Sequence, residues 1–353
     1  MESLRAVLFG LCAMERDGYE PPVMTRGEAM GLAHVAVEHG VAGWLLERLV
    51  SDYGDWGVTE VVRGRLLDAA HDALVRSAAM IGVMGRMSKV LREGGVEPIV
   101  LKGLAVLREY YPDMAMRDQG DIDILILNGG EGRATEMLMA DGAEETRHRV
   151  SALDAIRNHL AALRYRGITV EIHRNLARHD VGSESAIRDI GGHVERTRYG
   201  YSVLDSRAML CHLAIHAASH YRRGATELKF FVDVALVVAR ASDVAGFVRE
   251  CMALAPGARG DIRYAVGLAM NLLPRGKREL LEKMGMRRIE PTEGNLDGRR
   301  RRLGRLRVWL YGVYVDIRTI VAVARRGRLW ATLRYAIGGD AARNRKKKER
   351  QDK

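Results

Sequence analysis

The sequence predicts an α+β protein in which a small mixed β-sheet is set between helical segments before and after it. Three observations carry this reading. Residues 1–94 place apolar side chains at helical three-and-four spacing. Over about residues 95–202 that period gives way to short β-branched runs bounded by turn signals. From about Leu204 the helical spacing returns. The chain therefore divides into a helical segment (1–94), a mixed strand–helix unit (95–202), a helical bundle (203–285) and a basic helical segment with a tail (286–353). A chain of 353 residues has the length for more than one domain. Its 47% hydrophobic and 29% charged residues suit a packed core.

The elements follow in order. "TRGEAMGLAHVAVEHGVAGWLLERLV" opens with a Thr25-x-x-Glu28 capping box, which marks a helix start. "EVVRGRLLDAAHDALVRSAAMIGVMGRMSKVLREGG" is a longer helix stopped by Gly94-Gly95. "VEPIVLKG" reads as a strand, "LAVLREYY" as a short helix ending before Pro112, and "DIDILIL" as a second strand. "EGRATEMLMADGA" reads as a helix, and "HLAALRYRGITVEIHRNL" as two strands joined near Arg166-Gly167. Beyond Leu204 come helices in "DSRAMLCHLAIHAASHYRRG", "ATELKFFVDVALVVARA", "VAGFVRECMALA" and "GDIRYAVGLAMNLL", the last ending before Pro274. A loop rich in Gly, Pro and charge, roughly 285–300, leads to the basic helical segment and a tail expected to be disordered.

Net charge is +11, unevenly placed. Residues 299–353 hold 18 Lys or Arg against 4 Asp or Glu, a local +14, while the remainder is −3. The basic character thus belongs to the C-terminal end. It offers contact with nucleic acid or an anionic membrane surface, though no nucleic-acid motif accompanies it and a solubilising role is the simpler reading. Three cysteines far apart, with no C-x-x-C, point to a reducing compartment and away from a disulfide or zinc framework. No secretory signal is expected in the opening residues, and no uninterrupted apolar run is long enough for a transmembrane helix. A cytoplasmic protein is the expectation.

The chemistry gathers at "DIDILIL". Side chains alternate along a strand, so Asp121 and Asp123 share a face with Cα atoms about 6.5–7 Å apart, while Ile122 and Ile124 enter the core. Two adjacent carboxylates repel and raise each other's pKa, a conflict that a divalent cation removes. Glu171, in the strand-like run "ITVEIHRNL", supplies a third acid if the two strands are neighbours. The bland alternative makes these acids edge-strand charges or partners of nearby arginines.

"LKG…REYYPDMAMRDQGDIDILI", then "VEIHRNL", then "HLAIHAASHYRRGATELKFFVDVALVV" resembles the uncharacterised nucleotidyltransferase family of the DNA polymerase β-like superfamily, over about residues 95–240. The resemblance implies a sheet of the polymerase β-like nucleotidyltransferase type. It also implies transfer of a nucleoside monophosphate from an NTP to an acceptor with release of pyrophosphate, using Mg2+ or Mn2+. By the same resemblance Asp121, Asp123 and Glu171 would hold the metal ions, and Glu171 would complete the catalytic triad as base. Gly103 would let the backbone approach the triphosphate, and Lys102 and Arg117 would neutralise phosphate charge. The superfamily's usual turn is Gly-Gly or Gly-Ser; here it is Lys102-Gly103-Leu104, which lacks the serine hydroxyl. The acceptor is left open among small molecules, peptides, sugars, proteins and RNA. The alternative is a degenerate nucleotide- or partner-binding protein of the same fold. A DxD glycosyltransferase would need more βα units before the acidic pair than residues 1–94 offer.

Other polar residues carry competing readings. His173, two residues past Glu171, can orient that acid, contact nucleotide or fill a hydrogen-bonded core position. His212, His216 and His220 fall on one helix face, but "HAASH" lacks the glutamate of a zinc protease, so a structural row is the default. The resemblance admits His216 and His220 as cleft residues. Asp233, inside "FFVDVALVV", is expected to pair with Lys229 or with a histidine of the preceding helix, because an unpaired buried acid is costly. The methionines of "MIGVMGRM" read as core.

Overall fold

Four helices precede the sheet: α1 (Leu4–Leu11), α2 (Arg26–Glu38), α3 (Ala42–Ser51) and α4 (Glu60–Glu93). They come from a computed structural model that describes residues 4–53, 60–146, 160, 162–176, 187, 189–223 and 226–292, with backbone alone at 60, 61 and 223. The capping box forms as the sequence implies: the Thr25 hydroxyl accepts from the Glu28 N–H, and the Thr25 N–H donates to Glu28 Oε2 at 2.8 Å. Helix α4 runs 34 residues, about 50 Å. Its buried stripe is Leu66, Ala70, Ala73, Ser77, Met80, Met84, Met87 and Leu91, alternating four and three residues apart. The methionine run is therefore core.

The mixed unit follows with β1 (Ile99–Val100), α5 (Lys102–Tyr110), a 3-10 turn at Met114–Met116, β2 (Asp121–Leu125) and α6 (Glu131–Ala140). Next come β3 (Glu144–Glu145), β4 (Leu163–Tyr165), β5 (Ile168–His173), β6 (Val194–Arg196) and β7 (Ser202–Leu204). Among the described residues these strands form one mixed seven-stranded sheet in the order β3-β4-β5-β2-β1-β7-β6. β2 is parallel to β5 and antiparallel to β1, which is itself parallel to β7. The β4–β5 hairpin turns at Arg166 (φ 49) and Gly167 (φ 82), two left-handed residues that match the right-handed twist of the flanking strands.

Five helices close the described chain: α7 (Ser206–Arg223), α8 (Leu228–Arg240), α9 (Val244–Leu254), α10 (Arg259–Ala269) and α11 (Arg275–Lys283). One buried apolar cluster runs from Val7 in α1 to Met286, so both helical segments pack on the sheet without a break in the core. Strands β3, β6 and β7 and helix α11 were not expected from the sequence. The strands are two or three residues long, too short for a period to show, and α11 is largely charged. The expected basic helical segment and disordered tail lie outside the described residues.

No helix among the described residues is long and apolar enough to cross a membrane. The three cysteines, Cys12, Cys211 and Cys251, are buried and free.

Candidate active site

The register of two parallel strands builds the site. Asp121 lies opposite Thr169, Asp123 opposite Glu171, and Leu125 opposite His173. Alternation then places Asp121, Asp123, Glu171 and His173 on one face, while Ile122, Ile124, Val170 and Ile172 are fully buried on the other. The apolar side fixes the register, because a slip of β5 by one residue would turn Val170 and Ile172 outward. Glu171 thus stands opposite Asp123, the arrangement expected if the two strands are neighbours.

The tightest donor set differs from the expected one by one residue. Asp123, Glu171 and His173 each offer a ligand atom, and the three atoms lie within 4.8 Å of one another. Asp121, at the open start of β2, is outside that set. His173 takes its place because it is next along the same face of β5. Two carboxylates and an imidazole suit a divalent ion of the Mn2+ type, and the oxygens alone suit Mg2+. His173 Nε2 lies 2.7 Å from Asp123 Oδ1 and 3.7 Å from Glu171 Oε2. Burial lowers the His173 pKa against the pull of Asp123, so the ring is neutral near pH 7 and donates its Nε2 proton to Asp123. Ligating an ion through Nε2 requires the other tautomer.

Lys102 enters from the turn between β1 and α5. The Leu101 N–H donates to the Asp123 carbonyl at 2.9 Å, which pins the turn to β2. Lys102 itself has φ 41, a left-handed backbone that a non-glycine residue adopts only under constraint. Its Nζ sits 2.7 Å from Asp123 Oδ1, with the two side chains 13% and 5% exposed. Burial opposes ionisation of Asp123, but Lys102 and the His173 hydrogen bond outweigh it and hold that carboxyl well below the usual range. Asp121 feels Lys102 and Lys229 only as nearby charges. Burial first, then the charge of Asp123, push it up to about 6.

Residues 27–273, about 70% of the chain, match the family described as uncharacterised nucleotidyltransferase. The chain belongs to that family. The match extends beyond the stretch that carries the resemblance in sequence, taking in α2 to α4 before the sheet and α9 and α10 after α8. No curated protein matches. A solved structure described as an antigenic nucleotidyltransferase-like protein from Paracoccidioides brasiliensis aligns at 12% identity and a TM-score of 0.28, over 55% of this chain and 92% of that one. The assignment rests on the family match.

Within this nucleotidyltransferase-family chain, two expected phosphate contacts do something else. Arg117 is buried and paired with an acid of α8. Its Nε and Nη2 donate to Asp233 Oδ1 and Oδ2, both at 2.8 Å, and the Tyr111 hydroxyl donates to Oδ1 at 2.9 Å. The expected partners of Asp233 are corrected by the same contacts. Lys229 instead pairs with Glu227 at 2.6 Å, because an arginine from the strap of residues 111–120 between α5 and β2 reaches the acid with a two-pronged fit a lysine cannot make. At Gly103 an added Cβ would lie 2.7 Å from Gln119 Oε1 and 3.0 Å from Arg117 Nη1. That space is filled by protein, so Gly103 serves the packing of the strap, and the left-handed position in the turn is Lys102.

The histidine row of α7 lines up beside the cluster. His212 is buried, with Nδ1 3.2 Å from the Leu176 carbonyl. Burial and the charges of Lys102 and His173 press its pKa down to about 3. His216 is held well below its ordinary value by burial and then Lys102, and it packs edge-on against Phe230 with ring centres 4.9 Å apart. His220 packs tilted against the same phenylalanine, with ring centres 4.8 Å apart. A separate groove of about 590 Å³, lined by Leu46, Val50, Leu67 and Leu74, lies between α3 and α4. Glu47, Arg63, His71 and Asp113 also line it.

Proposed function

We propose that the chain is a metal-dependent nucleotidyltransferase that moves a nucleoside monophosphate from an NTP to an acceptor and releases pyrophosphate. One observation carries this: Asp123 and Glu171 stand in register on adjacent parallel strands, with His173 completing a donor set inside 4.8 Å. Asp123, Glu171 and His173 would hold the ion, Mg2+ or Mn2+, and Asp121 beside them is the acid whose raised pKa a cation relieves. When bound, the ion supplies charge to offset the polyphosphate.

The residues of this chain supply position. Glu171, the most open of the three donors at 26% side-chain exposure, accepts the proton of the acceptor hydroxyl as its oxygen bonds to the α-phosphorus. The bond between that phosphorus and the bridging oxygen breaks, and pyrophosphate leaves with the electron pair. Lys102 offers the positive charge for the phosphates. The acceptor carries a nucleophilic oxygen, and its class stands open among small molecules, peptides, sugars, proteins and RNA. Three free, buried cysteines support a reducing, cytoplasmic setting. The basic C-terminal end is left as a contact for an anionic partner.

A second reading, a nucleotide- or partner-binding protein without catalysis, draws on one observation: Asp123 is already neutralised by Lys102. The two readings part in one assay. Incubation with each α-labelled NTP, Mn2+ or Mg2+ and cell extract should give label transfer in the wild type and lose it in Asp123→Asn and Glu171→Gln. Equal transfer in wild type and variants would defeat the catalytic assignment. Nucleotide binding without transfer under every condition would favour the second reading.

A further inference from the structure

Lys102 and a divalent ion compete for one carboxylate. Asp123 Oδ1 takes both Lys102 Nζ and His173 Nε2 at 2.7 Å, so two positive or proton-bearing groups already converge on the oxygen an ion would use. A dication beside a buried ammonium is repelled by it, and a low-dielectric setting strengthens that repulsion. The ammonium therefore has to move as the ion arrives, and it needs an anionic partner to move to. Its four-carbon stem starts at the left-handed turn where α5 begins, beside the first N–H groups of that helix.

The other cations around the face are committed elsewhere. Arg117 is clamped to Asp233, Lys229 to Glu227, and the α7 histidines His212 and His216 are neutral. Among the described residues, Lys102 is the cation aimed at the carboxylates.

On the nucleotidyltransfer reading above, we propose that Lys102 is a positioning residue that exchanges Asp123 for the polyphosphate of the NTP, so that metal and nucleotide enter the site together and neither binds tightly alone. The coupling is reciprocal: whatever factor the nucleotide adds to metal affinity, the metal adds to nucleotide affinity.

The test measures Mn2+ binding to the full chain by calorimetry, with and without each NTP. Wild type should bind Mn2+ alone weakly and tighten by about ten-fold or more when the right NTP is present. Lys102→Met should bind Mn2+ alone about ten-fold tighter than wild type and lose most of the nucleotide effect. Lys102→Arg keeps the charge and should behave as wild type toward Mn2+ alone. Should Lys102→Met fail to fold, Lys102→Gln is read in the same way. Mn2+ binding that Lys102→Met leaves unchanged, or that is tight in wild type and indifferent to NTP, overturns the exchange while leaving the metal site standing. No Mn2+ binding by any variant at any NTP overturns the metal site and the exchange together.

Discussion

Arg117 grips Asp233 through two parallel hydrogen bonds of 2.8 Å, with the side chains 5% and 1% exposed. The pair ties the strap before β2 to the middle of α8. Removing one partner strands the other as a buried charge, which typically costs about 3–5 kcal/mol. Arg117→Met should therefore lower the urea midpoint sharply, and Asp233→Leu in the same chain should restore part of the loss. An Arg117→Met protein that is as stable as wild type but binds NTP poorly would return this arginine to the phosphate site.

Gly43 supports the same strap from below. A Cβ there would overlap the backbone carbonyl of Ala115, which cannot swing aside like a side chain, because Asp113 caps the turn through the Ala115 N–H at 2.7 Å. Gly43→Ala should destabilise by roughly 1–3 kcal/mol through overpacking, read by chemical denaturation. At Gly64 on α4, where an added Cβ meets nothing within 4 Å, the same change should be neutral or mildly stabilising.

At the carboxylate face the expected losses are of function. Asp123→Asn and Glu171→Gln should each lower nucleotidyl transfer by about 10²-fold or more, since each removes charge that the reaction centre relies on. His173→Ala should weaken Mn2+ binding, and its effect on Mg2+ should be smaller because nitrogen is a poor partner for that ion. Equal effects on both ions would mean that His173 only orients Asp123.

Acid should destabilise the protein through α7. His212 has a folded pKa of about 3 against an ordinary value near 6.5, lowered by burial and by Lys102 from α5 and His173 from β5, with Asp123 of β2 opposing. Above pH 6.5 neither folded nor unfolded chain protonates this ring, so its stability contribution is fully present. Between 6.5 and about 3 the unfolded chain binds a proton the folded chain refuses, and stability falls as pH falls, by up to about 1.4 kcal/mol per pH unit. His216, also held low, adds to the slope. Denaturation at pH 5 and 7.5 should show a smaller pH difference in His212→Asn than in wild type.

Local signals were legible where they did not depend on distant partners. The capping box, the Arg166-Gly167 turn, the α4 stripe and the DxD alternation are all short-range patterns, and each formed where its residues stand. The meeting of Glu171 with the acidic face of β2 was reachable because burying the apolar faces of both strands puts Asp121, Asp123 and Glu171 on the same side of the sheet. What the chain hid is long-range. Asp233 is 116 residues from Arg117, and nothing near either says which cation an acid inside an apolar helix will meet. The left-handed Lys102 was concealed behind Gly103, the residue that backbone freedom ordinarily favours. His173 carried a usable signal, since its place two residues past Glu171 put it on the acidic face; how close its ring comes to Asp123 is set by side-chain geometry that spacing does not give.

The most direct measurement is the anomalous diffraction of Mn2+ in crystals grown with a non-hydrolysable NTP. A manganese peak touching Asp123, Glu171 and His173, with Lys102 moved onto the polyphosphate, is the expected result. Nucleotide bound away from this face, with Lys102 still on Asp123 and no manganese between the strands, would contradict the account.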